Sequence, residues 1–120
     1  MITSKYFSEE EFRSCVPNCS LQNMKQTTMS KLDTAREIAG IPFVLNSAYR
    51  SPAWDRGKGR SGTGAHTLGR AVDIRCHTNA NRFLIVAALL KAGFKRIGIA
   101  KSFIHADDSV SHSQEIIWLY

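Results

Sequence analysis

Two histidine–aspartate pairs are the side chains in this sequence best suited to chemistry. His66 and Asp73 lie in the stretch GAHTLGRAVDI, and His105 and Asp107 lie in FIHAD. Residues i and i+2 of a strand point to the same face, so His105 and Asp107 project together. If the strands that carry Asp73 and His105 are near neighbours, His66, Asp73 and His105 can converge on one point. Two imidazoles and one carboxylate, with a fourth position left for water, form a catalytic zinc site. The spacing alone also fits three unrelated polar residues at strand ends.

The other histidines and the cysteines are weaker candidates. His77 ends a predicted strand, which favours a surface or helix-cap position, and His112 lies in a polar turn. Cys15 and Cys19 can pair or bind a metal, but no second cysteine pair completes a structural zinc site, so free or half-buried thiols are expected. The segment GKGRSGTG lacks the Gly-Lys-Ser/Thr ending of a phosphate-binding loop.

The predicted elements that position these residues form an α+β domain. Apolar spacing predicts one helix from about residue 24 to residue 39 and a second from Thr78 or Asn79 to about Ala92. The long Gly-, Ser- and Arg-rich stretch between Tyr49 and His66 has no core pattern, which indicates a functional or disordered loop. The order of elements predicts helices on one face of a mostly antiparallel sheet. The predicted strands are FVLNS, RAVDI, RIGIA, FIHAD and EIIWLY.

Composition predicts one globular domain over residues 1–120 and an anionic partner. No apolar run approaches the length of a membrane span, and the first residues contain no apolar signal-peptide core. The odd count of three cysteines argues against a complete disulfide framework, so synthesis in the cytoplasm is expected. The net charge of +6 favours nucleic acid, phospholipid or an anionic polymer such as a bacterial cell wall. No helix-turn-helix or zinc-finger pattern is present, so no specific nucleic-acid partner is expected.

Three motifs follow one another along the chain. Their residues are Ser47, Tyr49, Arg50, Ser51 and Pro52, then His66, Gly69, Ala71 and Asp73, then His105 and Asp107. In this order the motifs resemble the zinc D-alanyl-D-alanine carboxypeptidase family, which also includes phage endolysin peptidases. The segments YFSEEEF and WLY resemble the flanks of that family, so the resemblance covers nearly the whole chain. It implies the α+β fold that this family shares with the hedgehog signalling domain.

The resemblance also implies roles for the motif residues. His66, Asp73 and His105 would be the ligands of a Zn²⁺ ion. Arg50 would bind a carboxylate or carbonyl of the substrate, because its planar guanidinium can meet both oxygens of a carboxylate, and Tyr49 and Ser51 would bind substrate beside it. The loop from Tyr49 to Ala65 would line the substrate groove.

Two departures from the family pattern concern the reaction itself. Many relatives have a glutamate, acting as general base, three residues before the last ligand, and this position is Ser102 here. Some relatives have Gly-Gly and Ser just before the first histidine, where this chain has Gly64 and Ala65. The nearest substitute base is Asp107, and its alternative role is to fix the orientation of His105.

The implied function is zinc-dependent hydrolysis of an amide bond in the peptide stem of bacterial peptidoglycan, by a D,D-carboxypeptidase or an endolysin-type endopeptidase. The alternative is a catalytically weak or inactive zinc-binding module of the cell wall or the virion. The expected protein is a monomer that acts at the bacterial cell wall. The sequence leaves open whether the gene is bacterial or viral, with a phage-encoded or virion-associated protein as one alternative, and whether the protein is a free lysin or a structural part of a virion.

Overall fold

The computed structural model describes residues 1–13 and 19–120, and a twisted sheet forms its centre. Within those residues the sheet has five strands in the order β1-β2-β4-β3-β5. Every neighbouring pair is antiparallel except β3 and β5, which are parallel. The predicted α+β class with a mostly antiparallel sheet is therefore confirmed. The strands are β1 (Leu45–Ser47), β2 (Ala71–Arg75), β3 (Arg96–Ile99), β4 (Phe103–Asp107) and β5 (Ile116–Leu119).

Two long helices cover one face of this sheet. Helices α1 (Gln26–Ala39) and α3 (Asn79–Ala92) pack against each other, and α3 contacts β4. Both end at a glycine in the left-handed conformation, Gly40 and Gly93, which satisfies the last carbonyls of the helix. These bounds confirm the two predicted helices. No helix among residues 1–13 and 19–120 has the length and apolar character needed to cross a membrane.

The segment predicted to be a loop contains a third helix, so that prediction is wrong in part. Helix α2 covers Pro52–Gly57. The Ser51 hydroxyl accepts a hydrogen bond from the Trp54 amide at 3.2 Å, and proline occupies the first helical position. Serine followed by proline is a standard helix start. This start signal was present in the sequence, but the helix is only six residues long and a Gly-rich stretch follows it, so the whole segment was predicted to be a loop.

Alternation along the strands separates an apolar face from a polar one. Ile104 and Ala106 of β4 are fully buried on the helix-covered face, whereas His105 and Asp107 point to the opposite face. Strand register then places Asp73 and Gly98 on either side of His105, and Trp118 beyond Gly98. One row of side chains therefore crosses the polar face from β2 to β5.

Only glycine fits at position 69, because the backbone there is left-handed and packs closely against a neighbouring segment. We expect Gly69→Ala to be strongly destabilising. Its φ is +72°, and a Cβ atom would lie 2.2 Å from the Asn23 carbonyl oxygen. A left-handed alanine alone costs about 1–2 kcal/mol. Because the contacted atom belongs to the backbone, we expect a total loss of roughly 3 kcal/mol or more in the free energy of unfolding.

Gly40→Ala is the matched control for Gly69→Ala. Gly40 has a φ of +70°, but nothing lies within 4 Å of an added Cβ. Urea unfolding should therefore show only the left-handed cost of about 1–2 kcal/mol for Gly40→Ala. Equal losses for the two variants would contradict the close approach of Asn23 to Gly69.

Candidate metal centre

The three side chains predicted to converge lie together on the polar face of the sheet. Asp73 and His105 are direct partners across β2 and β4, and His66 lies on a 3₁₀ turn, Ala65–Leu68, just before β2. Asp73 Oδ1 is 3.0 Å from His105 Nδ1 and 3.4 Å from His66 Nε2. One ligand atom from each residue lies within 4.8 Å of the other two. Burial opposes ionisation of Asp73, but the adjacent imidazoles of His105 and His66 outweigh it and hold the pKa of the carboxyl well below its usual value.

His66 is oriented by the backbone so that one ring nitrogen is available to a metal. Its Nδ1 lies 2.7 Å from the Ala48 carbonyl oxygen, an acceptor that requires a proton on Nδ1. In the neutral ring the lone pair is then on Nε2, which faces Asp73. This nitrogen is buried and has no hydrogen-bond partner among the described residues. An unpartnered lone pair beside a carboxylate oxygen fits a bound cation.

His105 is held on both sides by carboxylates. Its Nε2 is 2.6 Å from Asp107 Oδ2, while its Nδ1 faces Asp73 and His66. Burial alone would lower the pKa of His105, but the hydrogen bonds with Asp107 and Asp73 raise it above its usual value. With Nε2–H donated to Asp107, Nδ1 is the nitrogen that can bind a metal.

Both carboxylate oxygens of Asp107 make hydrogen bonds with neighbouring residues. Its Oδ2 contacts the His105 ring, and its Oδ1 accepts from Arg96 Nε at 2.8 Å and from the Ser109 amide at 3.1 Å. The residue is 1% exposed. Burial would raise the pKa of Asp107, but the contacts with His105 and Arg96 lower it. This is the environment of a carboxylate that orients a metal-binding histidine. The catalytic role predicted for Asp107 stays a prediction.

A tryptophan and a glycine that sequence reasoning missed form one wall of the centre. The Trp118 ring lies 5.3 Å from the His105 ring, between their centroids, and the Arg96 guanidinium lies 5.0 Å from the Trp118 centroid. A Cβ at Gly98 would come within 2.7 Å of the rings of Trp118 and Tyr120. A single glycine inside the predicted strand RIGIA was the available signal, because such a glycine often marks a close approach.

Tyr120 faces the same centre and was also missed. Desolvation and the negative charge of Asp73 raise the pKa of its phenol above the usual value. Its ring packs 5.0 Å from Phe103, between centroids, at the end of the polar face. Trp118 lies in β5, and Tyr120 directly follows the strand with its amide still donating to the Ile99 carbonyl oxygen, so the two side chains share a face. Their two-residue spacing in WLY was the signal that could have found them.

Arg50 lies at the edge of the centre, held in place by its neighbours. Its backbone amide donates to the His66 carbonyl oxygen at 3.2 Å. Its guanidinium donates to the Ser47 hydroxyl at 3.3 Å and pairs with buried Asp55 of α2 at 3.4 Å. Asp55 also accepts from the Gly62 amide at 3.1 Å, which ties α2 to the loop that follows it. The start of the segment predicted to line the groove is therefore adjacent to His66.

The other two predicted substrate-binding residues make structural contacts. Ser51 caps α2, and the partly buried Tyr49 packs against the hydrophobic core. Trp54 carries Lys58 over its ring, with the ammonium 4.6 Å from the centroid. The substrate-binding role of Tyr49, Arg50 and Ser51 stays a prediction.

The weaker candidates lie outside this cluster. His77 is exposed beside the start of α3, and His112 Nδ1 lies 2.7 Å from the Ser109 hydroxyl in a turn. Cys19 is buried and disulfide-bonded, so the expectation of a free thiol is wrong for this residue. The same expectation was made for Cys15, which lies outside the described residues.

Comparison with known proteins identifies one family. A family model described as Peptidase M15 matches residues 5–107. The match spans all three candidate metal ligands, Arg50 and Asp107. No curated protein matches the chain.

Proposed function

The chain belongs to the peptidase M15 family, and from this membership we propose that it is a zinc-dependent peptidase that hydrolyses an amide bond in the peptide stem of bacterial peptidoglycan. The observation that carries the proposal is the buried, unpartnered Nε2 of His66, which faces Asp73 beside His105. A cation bound by this donor set would satisfy that nitrogen. Two imidazoles and one carboxylate leave a fourth position open, as catalytic zinc requires.

The metal would be held by His66 Nε2, Asp73 Oδ1 and His105 Nδ1. Zinc, when bound, lowers the pKa of a water molecule towards neutrality and polarises the scissile carbonyl. The protein's own residues keep the ligands in place: the Ala48 carbonyl fixes the proton on His66 Nδ1, and Asp107 fixes the proton on His105 Nε2. Trp118 covers one side of His105 and limits access of water there.

Asp107 has two possible roles in this mechanism, general base and orienting partner of His105. Its three contacts and its burial support the orienting role, because a base must reach the proton it removes. The same observation supports a second candidate function, a zinc-binding wall or virion module with weak or no catalysis. In that case the serine at position 102, where many relatives have a glutamate, would leave the centre without an efficient base.

Arg50 is proposed to bind a carboxylate or carbonyl of the stem peptide, and we expect Arg50→Ala to weaken catalysis while zinc content is kept. Hydrogen bonds to a charged group contribute about 1.5–3 kcal/mol, so kcat/KM should fall roughly ten- to a hundredfold. Steady-state hydrolysis of a stem peptide, with zinc measured on the same sample, tests this. Arg56→Ala, which removes an exposed arginine of α2, is the matched control. Loss of zinc in Arg50→Ala would contradict a substrate-binding role.

We also propose that the protein acts at the bacterial cell wall, as a phage-encoded or virion-associated enzyme. The net charge of +6 supports attraction to an anionic wall polymer. That attraction is screened by salt over about 8 Å at physiological ionic strength. Retention on isolated walls should therefore decrease as salt is added.

One experiment separates the two candidate functions. The purified protein is analysed for zinc and then incubated with purified peptidoglycan, and released amino groups are measured. One zinc per chain with released amines supports the peptidase. One zinc without released amines supports the weakly catalytic module, and absence of zinc contradicts both.

A further inference from the structure

An apolar groove lies on the helix-covered side of the sheet, away from the metal centre. It has a volume of about 420 Å³ and runs between the outer face of α3 and Ile99 of β3. Phe83 is 75% exposed at this groove, although it belongs to the apolar run of α3. The side chains that line the groove are Asn79, Arg82, Phe83, Val86, Ala87, Leu90 and Ile99.

Strand β5 extends this apolar surface to the edge of the sheet. Ile97 and Ile99 pair with Ile117 and Leu119, so all four side chains point to the helix-covered side. Ile117 is 53% exposed and Leu119 is 79% exposed. Large exposed apolar surfaces of this kind mark interaction sites. We call the residues Phe83, Val86, Leu90, Ile99, Ile117 and Leu119 the α3–β5 patch.

The α3 and β3 residues of the α3–β5 patch lie in a part of the chain that carries positive charge alone. Between Asp73 and Asp107 the sequence contains no aspartate or glutamate. Arg82 donates to the Lys101 carbonyl oxygen at 3.1 Å, which places both residues at one end of the groove. At the other end, Lys91 follows Leu90, and the Lys95 carbonyl accepts from Ile116 at the start of β5. The nearest acidic residue along β5 is Glu115, one residue before the strand.

We propose that the α3–β5 patch docks the protein on the surface of an anionic lipid bilayer. Exposed aromatic and aliphatic side chains partition into the boundary between headgroups and acyl chains, while lysine and arginine at the rim attract lipid phosphates. Both features are present here on one surface. A second copy of this chain would instead bring two basic rims together, which opposes association. A nucleic acid would match the charge but leave the apolar centre uncovered.

Docking through this patch leaves the metal centre accessible. Trp118 and His105 point to the opposite face of the sheet from Ile117 and Leu119. A docked molecule would therefore keep its candidate metal centre on the side of the sheet that faces away from the lipid. The proposal does not depend on peptidase activity, and it is tested without a substrate.

Vesicle sedimentation tests the proposal. The purified protein is mixed with vesicles of phosphatidylglycerol and phosphatidylcholine in equal amounts, and with vesicles of phosphatidylcholine alone. We expect binding to the anionic vesicles, weakened by added salt. The double variant Phe83→Ser/Leu90→Ser should bind the anionic vesicles at least about tenfold more weakly than the unmodified protein. Val110→Ser is the matched control, because Val110 is 82% exposed but lies outside the patch.

A second pair of variants keeps the test valid if the apolar double variant fails to fold. Arg82→Gln/Lys101→Gln should weaken binding by roughly fivefold for each charge removed. Arg56→Gln/Lys58→Gln removes the same charge at α2 and should have a smaller effect. Absence of binding to anionic vesicles, or equal binding of all these variants, would overturn the proposal. Self-association that is lost in Phe83→Ser/Leu90→Ser would also overturn it, in favour of a second copy as the occupant.

Discussion

Replacing His66 with alanine is expected to abolish stoichiometric zinc binding and to reduce peptide hydrolysis to background. His66 is proposed to supply one of three protein ligands, and its Nε2 is buried with no other partner among the described residues. Loss of a ligand's hydrogen-bond partner alone weakens metal binding roughly ten- to a hundredfold, and loss of the ligand itself should exceed that. Elemental analysis after dialysis gives the metal content, and release of amino groups from peptidoglycan gives the activity.

His77→Ala is the control for this experiment, because His77 is exposed and lies outside the centre. It should keep one zinc per chain and full activity. His66→Ala also removes the hydrogen bond to Ala48, so circular dichroism should verify that the variant is folded. The ligand assignment fails if two of the three single alanine variants, at His66, Asp73 and His105, retain the metal content of the unmodified protein.

Asp107→Asn is expected to weaken zinc binding roughly ten- to a hundredfold and to regain activity when zinc is saturating. The reason is that Asp107 contacts His105 Nε2 with one oxygen, while Arg96 and Ser109 occupy the other. Asparagine keeps the shape of the side chain but removes its charge and its basicity. The measurements are a zinc titration with a competing chelator and hydrolysis rates at several zinc concentrations.

The alternative role predicts a different pattern for Asp107→Asn. If Asp107 is the general base, hydrolysis stays about a hundredfold or more below that of the unmodified protein even at saturating zinc. Asp108→Asn is the matched control, because Asp108 is also buried but pairs with Thr28 and Lys31 instead of His105. It should leave zinc affinity unchanged.

Local patterns predicted much of the fold, because the alternation of apolar and polar residues in strands and the residues that start and end helices are short-range signals. The predicted strand FIHAD matches β4 residue for residue, and the predicted helix ends at Ala39 and Ala92 are the observed ones. Helix α2 was missed because six residues followed by a Gly-rich stretch contain too little apolar periodicity to be recognised.

The contacts within the candidate centre depend on strand order, which the sequence does not state. The residue types of His66, Asp73 and His105 were sufficient to nominate them, but their convergence requires β4 to pair with β2. The hydrogen bond from Arg96 to Asp107 depends on the pairing of β3 with β4, and the approach of Trp118 to His105 depends also on the pairing of β5 with β3. Such pairings link distant segments and are decided by the packing of the whole sheet.

Glycine at position 98, which has no side chain, constrains how the sequence can change during evolution. The rings of Trp118 and Tyr120 occupy the space that a Cβ of residue 98 would fill. A relative that acquires a larger residue at position 98 must therefore shift or lose the rings at positions 118 and 120, and a relative that keeps both rings in place must keep glycine. Positions 98 and 118, 20 residues apart, should co-vary in an alignment of the family, and they should do so independently of the metal ligands.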